Sequence, residues 1–236
     1  MSALHDDQAG PDSVQRTVST LRARGGTGAL CAGLQAVLPA IDGVGLTMFT
    51  PHGRVVLAVT GRLIDLIEDL QIALGQGPCF DAFYTRRPVL VSDLDDVPAI
   101  ADWPDFGARA VAVGIRAVFA FPVLLDGRPV ATLEMCRITA GALSDTDVDH
   151  AVRYAAVAAV LLQDDAVAGN GAGAVIGQEA AFLLQATGRV MVQADVDADT
   201  ALHRLRRYAV DHDRHVRDVV VDVLAHRLRF DPSSAS

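Results

Sequence analysis

The residues of this 236-residue chain best suited to chemistry are one cysteine, a run of aspartates, a group of histidines and a set of arginines. Cys79 follows Gly77-Pro78 at the start of a helix-length segment. A helix N-terminus lowers a thiol pKa enough for redox sensing or adduct formation; the alternative is a buried, inert thiol. Asp145, Asp147 and Asp149 begin like a calcium loop. That loop needs glycine at its sixth position and glutamate at its twelfth, where His150 and Ala156 stand, so calcium is excluded and Ser144-Asp145-Thr146-Asp147 reads as the capping box of a helix. His203, His212, His215 and His226 share one stretch, but no cysteine and no helical His-x3-His pair joins them, and no metal site is expected.

All 20 basic residues are arginine. Without lysine there is no phosphate-binding P-loop, no Schiff-base nucleophile and no kinase-type phosphate lysine. No G-x-S-x-G is present either, so no catalytic residue and no cofactor is expected and the chain reads as a non-enzyme.

The arginines need closer reading. The formal net charge is -9. Residues 1–177 hold 12 arginines against 20 acids, whereas residues 178–230 hold eight against eight, with four histidines. The C-terminal stretch is thus the less acidic end, and patches matter more than totals. Its arginines could contact a phosphate backbone or form a solvated helix face, since acids are interspersed.

The elements that must position these residues follow from periodicity. Residues 13–38 read as a helix interrupted by Gly25, Gly26 and Gly28; 44–50 and 55–59 as strands around a Pro51-His52-Gly53 turn; 63–74 as a helix with Leu63, Leu66, Ile67, Leu70 and Leu74 on its apolar face. A loop over 93–105, a helix over 106–113, strands 117–124 and 129–136 about Asp126-Gly127, and a long helix from the capping box complete an α+β domain, an antiparallel sheet flanked by helices. The small-residue segment 166–174 (AVAGNGAGA) reads as a linker. Beyond it lie helices over 178–192, 198–211 (N-capped by Asp197) and 216–229, a small all-α three-helix module. The second helix sets Ala201, Leu202, Leu205, Tyr208 and Ala209 on one stripe, with His203, Arg204, Arg206 and Arg207 on much of the rest. In the first domain Cys79, Phe83, Trp103 and Phe106 are candidate lining residues of a ligand cavity, with ordinary core as the alternative. The expected divisions are a disordered tail 1–12, a domain 13–165, a linker 166–175, the helical module 176–230 and a tail 231–236.

No run of 18 apolar residues and no signal-peptide pattern occurs, and the three cysteines, odd in number and far apart, suit a reducing compartment; a cytoplasmic location without membrane contact is expected.

Two resemblances refine this reading. The segment Gln185-Ala186-Thr187-Gly188-Arg189-Val190-Met191, followed by Ala201, Leu205-Arg206 and Tyr208-Ala209, resembles the ANTAR RNA-binding module. Upstream, LGQGPCFDAFYTRRPVLVSDL, DWPDF and GIRAVFAFPVLLDGRPVATLEM resemble the GAF sensor domain that precedes ANTAR in many actinobacterial proteins. The resemblance implies a homodimer that binds paired hairpins of structured mRNA and prevents terminator formation. It also implies that the GAF-like domain takes a small-molecule ligand or an upstream signalling protein. Ala186, Gly188, Arg206 and Ala209 would form the motif core, and Arg189, Arg204, Arg207 and Tyr208 are added as contacts to phosphate or base. Thr187 departs from the basic residue that many such modules carry, and Asp195 stands where a turn glycine is usual.

Overall fold

The structure is a computed structural model that describes residues 11–50, 53–96, 102–168, 172–212, 214 and 216–231. Helices α1 (Pro11–Arg22) and α2 (Leu30–Val37) flank a short 3-10 turn, Gly26–Ala29. Strands β1 (Gly43–Thr50) and β2 (Gly53–Thr60), helices α3 (Arg62–Leu74) and α4 (Pro78–Thr85), strand β3 (Val89–Val91), helix α5 (Pro104–Ala112), strands β4 (Ala117–Leu125) and β5 (Arg128–Arg137) and the long helix α6 (Asp145–Ala168) follow. The five strands form one antiparallel sheet in the order β2-β1-β5-β4-β3. Asp126 and Gly127 both adopt positive φ, 50° and 72°, at the β4–β5 turn, the conformation that a tight two-residue hairpin demands.

Both faces of the sheet are covered. On β5, Leu133 and Met135 enter a core shared with Leu30, Leu34, Tyr154 and Leu161 of α2 and α6. The alternate residues Thr132, Glu134 and Cys136 point to the layer of α3, α4 and α5, where Ile64, Ile67, Phe106 and Ile115 pack. Strand alternation therefore sends a polar pair beneath helices rather than into water. The capping box forms reciprocally: Asp147 N–H donates to Ser144 Oγ at 3.1 Å and Ser144 N–H to Asp147 Oδ2 at 3.2 Å.

The tail contains α7 (Ala172–Ala194), α8 (Ala198–Asp211) and α9 (Val216–Leu224). Asp197 caps α8, accepting the Thr200 N–H at 2.7 Å. Ala186, Val190, Ala201, Leu205, Ala209, Val219 and Val223 form a core of their own. This unit is docked on α3. Val210 packs against the apolar layer around Ile64 and Phe106, Val216 N–H donates to Asp69 Oδ2 at 3.1 Å, and Arg109 lies 3.7 Å from Asp211.

Several boundaries differ from expectation, each for a physical reason. Gly25 and Gly26 take φ of 111° and 62°, which splits the first predicted helix, and Pro11 and Asp12 join α1 instead of the expected tail. The rest of that tail, residues 1–10, lies outside the described residues, as do Pro51 and His52 of the predicted turn and nearly all of the 231–236 tail. Residues 166–168 continue α6 and 172–174 open α7, because alanine is the strongest helix former; 169–171 are outside the described residues. The last helix ends at Leu224, short of residue 229. His226 turns to φ 59°, the Asp222 carbonyl accepts from Arg227 and Leu228 N–H, and Phe230 folds back into the tail core. Among the described residues no helix is long and apolar enough to cross a membrane.

Candidate functional site

The most unusual chemistry lies under α3 and α4. Glu68 and Gln71 descend from α3, Arg54 from β2, Thr132 and Glu134 from β5, and Cys79 from the first turn of α4. Arg54 Nη2 donates to Glu68 Oε2 at 2.8 Å, with side chains only 4% and 1% exposed. Gln71 Nε2 donates to Glu134 Oε2 at 2.7 Å, and Gln71 Oε1 accepts the Cys79 N–H at 2.9 Å, so one amide joins strand to helix N-terminus. Cys79 Sγ lies 2.6 Å from Thr132 Oγ1. The guanidinium of Arg54 sits 4.4 Å from the Phe80 ring centroid and 5.1 Å from that of Phe49, which adds cation–π attraction to the ion pair.

Two glycines make room for this cluster. A Cβ at Gly45 would stand 3.0 Å from Glu68 Oε1, and one at Gly77 (φ 136°) would stand 2.5 Å from Gln71 Oε1. Yet hydrogen bonding is incomplete: Glu68 Oε1, Glu134 Oε1 and both Arg54 Nε and Nη1 are buried without a partner. Thr47 eases the Glu68 charge from beside it without reaching hydrogen-bond geometry. Burial raises the Glu68 carboxyl above its ordinary value although Arg54 opposes the rise. Burial, then the neighbouring Glu68 charge, pushes Glu134 well above the carboxylate range, so the pair favours holding a proton there. Burial disfavours the Arg54 cation, but Cys79, Glu68 and Glu134 outweigh it and hold its pKa above the usual value.

Cys79 is fully buried, which favours the inert-thiol alternative in the free protein. Desolvation drives its pKa well above the ordinary thiol value, Glu68 and Glu134 add to that, and Arg54 and Thr132 only partly offset them. Cys31 is likewise buried and pushed up to about 12. The four expected lining residues fall in different surroundings. Trp103 and Phe106 are core residues between α3 and α5, and Trp103 Nε1 donates to Asp81 Oδ2 at 3.2 Å. Phe83 is half-buried and stacks on Phe49 with centroids 3.8 Å apart, while Cys79 belongs to the polar cluster. Sequence reasoning missed Arg54, Glu68, Gln71, Thr132 and Glu134. A signal for two of them existed: of 29 acids only three are glutamates, and Glu68 and Glu134 are two of these.

In the tail, Ala186 and Ala209 are fully buried where helices meet, and Gly188 has open space beside it. Arg189 Nη1 donates to the carbonyls of Val223 and Leu224, at 3.2 and 2.7 Å, and so caps the C-terminus of α9 rather than facing solvent as a free phosphate contact. Tyr208 is half-buried and stacks on His212 at 3.8 Å. Arg207 is exposed beside Asp211 at 3.4 Å, and Arg204 reaches the Asp231 carbonyl at 3.5 Å. Arg206 is drawn toward the first domain. Burial and then Arg54 lower its pKa to about 10 against the opposing charge of Asp69, and its Nε is buried with no partner. Beside this contact a cleft of about 180 Å³ opens between Leu66, Asp69, Arg109, Val210 and Arg214.

An antiparallel sheet with helices on both faces, a polar cluster beneath two of them and a helical extension docked outside define an α+β domain with an appended module. The family model of the GAF domain matches residues 29–163, and the chain belongs to that family. Membership suggests a signal-sensing or regulatory role. Among solved structures it is similar to the GAF domain of a phosphoenolpyruvate-protein phosphotransferase from Coxiella burnetii, at 16% identity over 66% of this chain and 95% of that one, TM-score 0.50. The GAF domain of the Acinetobacter phosphoenolpyruvate-protein phosphotransferase is similar at 12% identity over 67% and 95%, TM-score 0.50. A type II free methionine-R-sulfoxide reductase from Thermoplasma acidophilum matches at 19% identity over 64% and 95%, TM-score 0.45. At these identities the likeness shows the fold alone. No curated protein matches the sequence.

Proposed function

We propose that the chain is a cytoplasmic signal-responsive regulator, not an enzyme: a GAF sensor controlling an ANTAR-like tail that binds structured mRNA hairpins as a homodimer in transcription antitermination. The observation that carries the coupling is α3. It contributes Glu68 and Gln71 to the buried cluster and, through Asp69, holds the Val216 N–H of the tail. A signal that repacks the cluster moves the helix on which the tail is seated. The docked form is the closed state, since it draws Arg206 against the first domain. Release of α8 frees Arg206 to join Arg204 and Arg207 on one cationic surface, a population shift between docked and open tails. Two open tails on a dimer gain affinity by effective concentration, which suits a paired-hairpin target. Crosslinking the protein in its own cells and sequencing attached RNA tests the reading: paired hairpins upstream of terminators support it, and no enriched RNA overturns it.

A second reading is favoured by a specific feature of α7. Leu184 and Val192 are 64% and 85% exposed, more than a solvated helix needs, and Phe182 is exposed nearby. Here the tail is a docking or dimerisation element that binds a protein. A chain that self-associates through α7 and ignores hairpin RNA supports this alternative.

A further inference from the structure

The buried cluster carries more acid than its hydrogen bonds use. Glu68 and Glu134 each commit one oxygen, Oε2, to a protein donor, and each leaves Oε1 buried with no partner. A carboxylate oxygen of each and Cys79 Sγ all lie within 4.8 Å of one another, and all three residues are buried. Orphaned carboxylate oxygens in a protein interior are costly, and here two carboxylates that each carry one lie beside a single thiol.

We propose that Glu68, Glu134 and Cys79 form a binding site for a divalent transition-metal ion of the zinc type. The donor set selects the ion. One thiolate with two carboxylates suits zinc or cobalt, whereas calcium and magnesium take all-oxygen shells of six or more ligands. The surroundings already resemble an outer shell. Arg54 holds Oε2 of Glu68, Gln71 holds Oε2 of Glu134 and also the Cys79 backbone, and Thr132 Oγ1 can turn its hydrogen toward a thiolate. Bonds of about 2.0–2.3 Å place donor atoms roughly 3.3–3.8 Å apart, so the three close by at most about 1–1.5 Å on binding.

Charge also balances. Arg54, a divalent ion and three anionic ligands sum to zero, as do Arg54, one glutamate, one glutamic acid and a thiol. Entry of the ion therefore expels two protons to solvent, one from the Cys79 thiol and one from the glutamate pair, and forms one metal–sulfur and two metal–oxygen bonds. Neither state leaves a net charge in the core. Three protein donors leave a fourth position for a water or a ligand atom. The site stands independently of what the tail binds.

The test uses the full chain, stripped with a chelator and titrated with cobalt(II). A thiolate-to-cobalt charge-transfer band in the near ultraviolet is expected, displaced by zinc. Histidine sites give no such band. Cys79→Ser abolishes it, whereas Cys31→Ser and Cys136→Ser keep it. Calorimetry in buffers of different ionisation heat gives about two protons released per ion, as the charge balance above requires. Gln71→Ala weakens zinc binding about 10–100-fold, the usual effect of removing an outer-shell partner. If Cys79→Ser does not fold, the isosteric Glu134→Gln takes its place and is expected to lose zinc binding. A folded wild-type chain with no cobalt band, or a band that survives in folded Cys79→Ser or Glu134→Gln, overturns the proposal.

Discussion

Glu68 and Asp69, neighbours on α3, serve different parts of the molecule: Glu68 accepts from Arg54 at 2.8 Å inside the buried cluster, and Asp69 accepts the Val216 N–H of the tail at 3.1 Å. One helix thus takes part in both the polar centre of the GAF domain and the attachment of the helical extension.

Removing the Asp69 contact should loosen the tail. Asp69→Ala deletes one hydrogen bond and the acid that supports Arg206, a loss of about 1 kcal/mol or somewhat more. Amide exchange should quicken in α8 and at Val216 while the β4–β5 hairpin keeps its protection. Equal exchange in both proteins would mean that the contact does not hold the tail.

The tail core should respond as a packed interior. Leu205 is fully buried among Ala186, Ala201, Ala209 and Val219, so Leu205→Ala should cost about 2–5 kcal/mol of local stability. Ala186→Leu should also destabilise, by about 1–3 kcal/mol, because added volume has nowhere to go. Denaturant melts of the two variants, with exchange protection in α7 and α9, check both.

The buried acids predict an unusual pH response. Glu134 has a folded pKa well above its ordinary 4.5, so the folded state binds more protons than the unfolded one above that value. Stability then has a negative slope with pH: it is fully present below about 4.5 and is lost as pH rises toward the folded value. Glu68 is shifted in the same direction. In chelator-treated protein, Glu134→Gln should flatten the slope and keep the Gln71 contact through its amide. A wild-type stability that rises over this window would contradict the assignment.

Much of this fold was legible. Apolar alternation located both hairpins, Asp126-Gly127 marked the β4–β5 turn, and the Ser144–Asp147 box located the start of α6. The polar cluster was not legible, because its residues look ordinary one element at a time. Glu68 and Gln71 read as the wet face of an amphipathic helix, and Thr132 and Glu134 as the wet face of a strand. Only the packing of α3 and α4 on that sheet face turns both inward, and periodicity within one element carries no record of a second covering layer. The aromatic residues show the converse. Trp103 and Phe106 stand in or beside a polar loop in sequence, yet α5 folds them into the core. In the tail, the buried stripe of α8 was legible from spacing, but the docking of Arg206 and Val210 on α3 was not, since it depends on a partner surface far away in the chain.

Arg204 and Arg207 make long contacts with the fold, 3.5 Å to the Asp231 carbonyl and 3.4 Å to Asp211. If they hold phosphates, replacing either by alanine should weaken binding to all hairpin RNAs alike and lower the salt slope by about 0.7–0.9 per residue. Arg189→Ala should instead act through stability, because that side chain caps α9.

Binding of hairpin RNA to the full chain, wild type beside Asp69→Ala, across a salt series tests the central claim most directly. The regulator reading predicts salt-dependent binding that tightens about fivefold or more when the tail is released, the equivalent of about 1 kcal/mol. Folded proteins that both ignore every hairpin RNA, at low salt as at high, would contradict it and leave the tail as a protein-docking element.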